Sequence, residues 1–363
     1  MTMPTQIFTR TDSAANEWAI DDDVVRLRQW GTDIVHALSD PPDDGYTLGA
    51  AENCSLRLDD PSGRVSRLHA RLVRDEGNWL LRDAGSKNGL RGDGARRTEI
   101  VLQPGLEIGI GGLTLIAESA LSMALRGFLS RLLGWGSERV EAVDHAIRSI
   151  RMAAARRAAL FVCGEGDLVR TARSIHRHSK GAHRPFIVCD PRRQTGKATV
   201  RAAENYATGM EALAAAAGGT VCVRRQRLPA DFRELADALR TPSSQVQLVV
   251  CTETLDDGER YSVTPIVIPR LTSREDEIDQ IINDYAADAI AELGTSSEFL
   301  AADRAWVREH ACTTLPEIET ATLRLVALRA SRNLAHAAAR LGMAPVSLSR
   351  WIGRRRLPME IVE

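Results

Sequence analysis

The sequence predicts a multidomain α+β protein: an N-terminal β-sandwich, a central α/β domain built on a parallel sheet, and a helical C-terminal region. Three patterns carry this. From about Val24 to Ala117, short alternating segments recur between Gly, Pro, Asp and Asn turns, which is the spacing of an all-β sandwich. Between about Glu138 and Arg270, strand-sized apolar runs alternate with helical stretches, as parallel strands with crossover helices require. From Glu275 onward the period is helical throughout.

Taken in order, the sandwich segments are Val24–Gln29, Asp33–Leu38, Tyr46–Gly49, His69–Arg74, Trp79–Arg82, Thr98–Leu102 and Leu113–Ala117. A helical stretch, Ala120–Leu133, follows and stops at Gly134-Trp135-Gly136. Val140–Arg157 is amphipathic, with Ala and Ile on one face, and is expected to open the α/β region. Leu160–Cys163, Phe186–Cys189, Gly219–Val223 and Gln247–Cys251 are its strand runs. Leu315–Arg329, Asn333–Leu341 and Val346–Arg355 are three closing helices. The expected organisation is a flexible segment 1–23, a sandwich 24–118, a helical linker 119–137, an α/β domain 138–272, a helical lid-like region 273–313 and a terminal helical domain 314–363.

Composition narrows the function classes. At 363 residues there is room for two or three domains, and 44% apolar with 26% charged residues is the make-up of a soluble globular protein. A net charge of −1 means that nucleic-acid affinity has to come from a local basic patch. Of the 47 basic residues only Lys87, Lys180 and Lys197 are lysine, so a lysine-dependent motif has three places to be. The six cysteines form no C-x-x-C pair and read as buried thiols of a reducing cytoplasm. The amino terminus lacks a basic and then apolar leader, and no run approaches ~18 apolar residues, so the expectation is a cytoplasmic protein without a membrane partner.

Three stretches of the sandwich carry a further signal: Tyr46-Thr47-Leu48-Gly49, Ser66-Arg67-Leu68-His69 and Gly85-Ser86-Lys87-Asn88-Gly89. With Leu58-Asp59-Asp60-Pro61, Trp79–Asp83 and Leu102-Gln103-Pro104-Gly105 in the same order, Val24–Glu118 resembles a forkhead-associated (FHA) domain. The resemblance implies binding of a phosphothreonine protein, the product of a Ser/Thr kinase, through Arg64, Ser66, Arg67, Ser86, Lys87 and Asn88. Ser66 can donate to a phosphate oxygen, Asn88 can hold peptide backbone, and the cations can add charge-assisted bonds. His69 is expected to brace the loop. The arginine that the family places after Gly49 is Ala50 here, and Arg64 is the expected substitute.

Cys163-Gly164-Glu165-Gly166-Asp167, Gly218-Gly219-Thr220, Leu228-Pro229, Val263-Thr264-Pro265-Ile266 and Pro269-Arg270-Leu271 follow in an order that resembles the AAA+ domain of bacterial enhancer-binding regulators, which activate the sigma-fifty-four form of RNA polymerase. The nucleotide chemistry is missing. A phosphate loop needs Gly-x4-Gly-Lys-Ser/Thr, but Gly164-Glu165-Gly166 runs straight into a helix, with Asp167 near the lysine's place. Arg224 and Arg225 stand where two carboxylates would hold magnesium and activate water, and a guanidinium does neither. Gly196-Lys197-Ala198 does not restore the motif. The expectation is therefore no catalytic residue, no cofactor and no metal; His176, His178 and His183 read as structural or solvated.

At the end, Ala337–Met343 and Pro345–Ile352 resemble a Fis-type helix-turn-helix, with Gly342 in the turn. Eight arginines and no Asp or Glu lie between Arg324 and Arg356, which suits a phosphate backbone. Ser347, Ser349, Arg350, Arg354, Arg355 and Arg356 are the expected DNA contacts. Together the resemblances imply a transcription regulator that senses phosphothreonine and binds duplex DNA, assembled as a homo-oligomer, with sigma-fifty-four RNA polymerase or an active AAA+ homologue as a further partner. A phosphopeptide-binding adaptor that never touches DNA is the other reading.

Overall fold

The computed structural model describes residues 23–39, 41, 44–181, 183–197, 202–241, 243–255, 261–296, 298–355 and 357; the rest of the expected segment 1–23, and Arg356, lie outside the described residues. The chain divides into two compact units, one of residues 1–130, 136–156 and 177–181, the other of 131–135, 157–176 and 182–363.

Among the described residues the first unit holds eleven strands: β1 (Val24–Gln29), β2 (Val35–Ala37), β3 (Tyr46–Gly49), β4 (Leu56–Arg57), β5 (Ala70–Asp75), β6 (Asn78–Asp83), β7 (Leu90–Gly92), β8 (Ala95–Arg97), β9 (Glu99–Val101), β10 (Glu107–Ile110) and β11 (Leu113–Ser119). They form two sheets, ordered β2-β1-β11-β10-β7-β8 and β4-β3-β5-β6-β9. Alternation places Leu27, Leu48, Leu72, Leu81, Leu90, Ile108 and Leu115 in one core, all fully buried. Trp79 joins them, and its ring N–H donates to the carbonyl of Val24 at 2.9 Å, so burial leaves no orphan donor.

The helices α1 (Ala120–Leu133) and α2 (Val140–Ala155) follow. The expectation that α2 opens the α/β region is corrected by its contacts. Asp144 of α2 is buried, pairs with Arg28 of β1 and Arg126 of α1, and accepts from the Gly31 amide at 2.8 Å. Arg148 and Arg151 reach Glu107 and Asp93 of the sandwich, both at 2.5 Å, and the Arg148 guanidinium lies 3.9 Å from the Trp30 ring centre. Buried charges demand partners, and α2 finds them on the sandwich.

Glu118 completes this cluster, 2% exposed and bonded to Arg26, Arg28 and Arg126 at 2.7, 2.9 and 3.0 Å. Burial pushes its carboxyl up, but the three guanidiniums outweigh burial and hold it below the ordinary 4.5. A depressed folded-state value stabilises above the unfolded value and is lost as pH falls through the folded one. The thermal advantage of the native chain over Glu118→Gln is thus expected to be full at pH 7 and to shrink steadily below pH 4.5. Melting curves of both proteins from pH 3 to 7 check this; an advantage independent of pH would contradict it.

The second unit is built on β12 (Leu160–Cys163), α3 (Val169–Lys180, its last turn in the first unit), β13 (Phe186–Cys189), β14 (Glu204–Tyr206), α4 (Gly209–Ala215), β15 (Thr220–Arg224), α5 (Phe232–Leu239), β16 (Gln247–Thr252) and β17 (Ile266–Val267). The sheet order is β14-β13-β15-β16-β12-β17, and every strand pair is parallel. Ile187, Val221, Val223, Leu248 and Val250 pack under Leu235 of α5. The helices α6 (Ile278–Leu293), α7 (Ala301–His310), α8 (Leu315–Arg329), α9 (Leu334–Arg340) and α10 (Pro345–Arg355) follow, α6 ending at Gly294 with a left-handed φ of 57°. No described helix is long and apolar enough to cross a membrane.

Candidate functional site

Three loops of the sandwich meet at His69. Its ring is fully buried; Nδ1 accepts from the Ser66 amide at 3.0 Å and Nε2 faces the Gly89 carbonyl at 3.2 Å. That pair of partners fixes the Nε2–H tautomer. One imidazole thus ties the Ser66–Leu68 loop to the Gly85–Gly89 turn. The Lys87 amide donates to the Ser66 hydroxyl at 3.1 Å, which leaves the hydroxyl proton available to an outside acceptor. The Asn88 side chain donates to the Arg64 carbonyl at 2.7 Å.

Asp60 sets the position of Arg64. Its carboxylate accepts from the Ser62 hydroxyl at 2.6 Å and from the amides of Ser62, Arg64, Val65 and Gly112 at 2.9–3.1 Å. The Ser62 hydroxyl bond first, then the amides, hold its carboxyl far below the carboxylate range. Gly49 allows the third loop to close in: a Cβ there would sit 2.1 Å from the Arg67 carbonyl. The next residue, Ala50, donates its amide to the Ser66 carbonyl at 3.0 Å.

The expected contact residues separate into two groups. Arg64, Arg67, Lys87 and Asn88 are exposed and Ser66 is half-buried, all on the assembled loops. The side chains of Arg64, Arg67 and Lys87 have no ion pair among the described residues. Ser86 differs: its hydroxyl donates to Asp83 at 2.5 Å and accepts from the Gly89 amide at 2.9 Å, so it holds the turn together. Arg96 was not anticipated. A Cβ built on Gly89 would lie 3.1 Å from Arg96 Nε and 3.3 Å from Nη2, so that guanidinium rests against the turn beside Asn88. The signal was the Asp93-Gly94 dipeptide, a two-residue hairpin turn that sets Arg96 opposite Arg91.

In the second unit, the carboxyl ends of β12, β13 and β15 converge, the place where open parallel sheets put their ligand crevice. Here an ion-pair cluster occupies it. Asp167 accepts from the Val169 amide at 3.2 Å, as a helix cap, and both of its carboxylate oxygens accept from Arg224 Nη2, at 2.8 and 2.9 Å. Asp190, fully buried, pairs with Arg224 at 3.0 Å, Arg227 at 3.3 Å and Arg193 at 3.7 Å. Arg225 leaves the strand and opens a short 3-10 turn, Arg225–Arg227. A cavity of about 490 Å³ remains beside Asp167, with Arg170, Arg173, Arg193 and Arg324 in its wall. His176 is buried between the Thr220 hydroxyl at 2.8 Å and the Arg184 carbonyl at 2.9 Å.

Near the end of the described residues, Ser347, Ser349, Arg350 and Arg354 of α10 are exposed, while Leu348 and Trp351 are buried. Arg355 does not join them. It turns back to Glu317 at 2.5 Å and to the His310 carbonyl at 2.6 Å. Arg324 lies 4.8 Å from the Trp351 ring centre, Arg329 pairs with Asp303 at 3.1 Å, and Arg340 donates to the Leu293 carbonyl. The basic run therefore serves partly to hold its own helices together.

The FHA domain family model matches residues 46–111. No curated protein matches the chain. Among solved structures, similarity is found to an FHA domain analysed for phosphothreonine-dependent FHA domain interactions, at 26% identity over 26% of this chain and 93% of that one, TM-score 0.23. The FhaA FHA domain complexed with the intracellular domain of Rv3910 is similar at 27% identity, over 25% and 96% of the two chains, TM-score 0.23. The Rv1747 FHA-1 domain of Mycobacterium tuberculosis is similar at 24% identity, over 27% and 98%, TM-score 0.22. Within this chain, residues 46–111 are an FHA domain.

Proposed function

We propose that the chain recognises a phosphothreonine-bearing protein through the loops around Ser66 and Asn88. The observation that carries this is the Ser66 hydroxyl, oriented by the Lys87 amide, with the exposed residues Arg64, Arg67 and Lys87 on the same joined loops. A phosphate bound there meets one hydroxyl donor and three charge-assisted donors, and Arg64 takes the part that Ala50 leaves vacant. Titrating the full chain with matched phosphothreonine, phosphoserine and unmodified peptides tests it. Binding restricted to the phosphothreonine form is expected; equal binding of the unmodified peptide sinks the reading.

We further propose that the recognised phosphoprotein controls a helix-turn-helix that binds duplex DNA, and that the α/β unit is a scaffold that does not hydrolyse nucleotide. The cavity would hold a small molecule, but Asp167 and Arg224 neutralise each other where a lysine and a magnesium carboxylate would be needed. The assembly into a homo-oligomer and a sigma-fifty-four or AAA+ partner belong to the same reading.

DNA contact rests on the exposed row Ser347, Arg350 and Arg354 of α10. The internal engagement of Arg324, Arg329, Arg340 and Arg355 favours the adaptor reading instead, since it removes half of the basic run. Salt dependence decides between them. Two or three phosphate contacts predict a slope of log affinity against log salt of about −2 to −3 per chain, falling by about 1 to 2 in an Arg350→Ala/Arg354→Ala variant. No salt-dependent duplex binding leaves the adaptor.

A further inference from the structure

We propose that Arg91 and Arg96 form a second recognition patch that selects phosphopeptides carrying Asp or Glu close to the phosphothreonine. The inference rests on the phosphothreonine reading above and adds to it the chemistry of the flanking sequence. Asp93 and Gly94 both have positive φ, 46° and 84°, which makes the β7–β8 connection a tight two-residue turn and fixes its register. Gly92 then faces Ala95, and Arg91 faces Arg96. Two like charges directly opposite each other on an antiparallel pair repel. Neither arginine has an ion pair among the described residues. Elsewhere in the same sheet, Glu107 and the turn residue Asp93 are matched with Arg148 and Arg151.

The pair stands on the outward face of its sheet. Leu90, Ile108 and Ile110 point into the core, so Arg91 and its other partner Gly109 point out, and the Arg91 stem lies over Gly109, whose Cβ would be 3.2 Å from that of Arg91. The strand β8 ends the sheet order, so the patch has an open flank. Its distance from the phosphate loops is short. The Arg96 guanidinium rests on Gly89, and a single imidazole, with bonds of 3.0 and 3.2 Å, separates the Gly89 carbonyl from the Ser66 amide. An extended peptide advances ~3.4 Å per residue, so a side chain about two to four positions from the residue held at Ser66 reaches Arg96. A carboxylate there relieves the Arg91–Arg96 repulsion and accepts charge-assisted bonds from both forks.

The test uses the full chain and fluorescein-labelled phosphothreonine peptides whose positions two to four, on either side of the phosphothreonine, are all Asp, all Ala or all Lys. The expected order is Asp over Ala over Lys, with Asp preferred to Ala by about 3- to 10-fold at low salt. In an Arg91→Ala/Arg96→Ala variant the Asp preference drops to less than about 2-fold while Ala-flanked affinity stays unchanged. An Asp preference retained in the variant, or none in the native chain, overturns the proposal alone. If no phosphorylated peptide outcompetes its unmodified counterpart, the phosphothreonine reading falls as well.

Discussion

Replacing His69 by alanine is expected to cost the sandwich about 3–5 kcal/mol and to abolish phosphopeptide binding. The ring is fully buried and is the only link described between the Ser66 amide and the Gly89 carbonyl. Its removal leaves a cavity and two desolvated backbone groups without partners, each costing roughly 1–3 kcal/mol. The loops lose their common brace, so the Ser66 hydroxyl and Asn88 no longer hold a shared geometry. Urea unfolding of the full chain, followed at the sandwich's Trp79, reads the stability. A Ser66→Ala variant, which keeps every bond of His69, is expected to lose binding with little change in stability. A His69→Ala protein that unfolds like the native chain would contradict this account of the loops.

Asp190→Ala is expected to be as damaging in the other unit, about 3–5 kcal/mol. Asp190 is fully buried and faces Arg193, Arg224 and Arg227, and it also accepts from the Arg192 amide at 3.0 Å. Without its carboxylate the guanidiniums repel one another at the carboxyl edge of the sheet. Removing Arg224 at the same time, as Asp190→Ala/Arg224→Met, is expected to recover part of the loss, because a whole buried pair exchanged for apolar groups is often close to neutral. A double variant less stable than the sum of the singles would show that the cluster is not held by this pairing.

The sequence made the outline of the fold legible where the pattern was long and apolar. Ala120–Leu133 is a helix over the whole span expected, and Leu160–Cys163 and Phe186–Cys189 are strands end to end. The strands that escaped notice are short or carry no alternation: β4 has two residues, β8 reads Ala-Arg-Arg, and β10 contains Gly109. The parallel sheet was expected, but its short members β14 and β17 were not. The three loops were legible as motifs, since Ser66, His69, Asn88 and Gly89 are local signatures.

What stayed hidden depends on contacts between residues far apart in the chain. Arg28 and Asp144 are 116 positions apart, and that pairing, with those of Arg148 and Arg151 to Glu107 and Asp93, is what shows that α2 belongs with the sandwich. Asp190 gave no signal of its own, because its partner Arg224 is brought beside it by the register of β13 against β15. Arg355 looked like part of a basic face, and only the position of Glu317 shows that it points inward. Ser86 sits inside a recognised motif, and only the positions of Asp83 and Gly89 show that its hydroxyl is bonded within the turn.

The most direct test of phosphate recognition at these loops is a backbone amide NMR titration of the full chain with a phosphothreonine peptide. The predicted result is that the largest shifts fall on Ser66, Arg67, Lys87 and Asn88, that they saturate with a single affinity, and that the unmodified peptide produces none of them. Shifts confined to other surfaces, or identical shifts with and without the phosphate, would contradict the account.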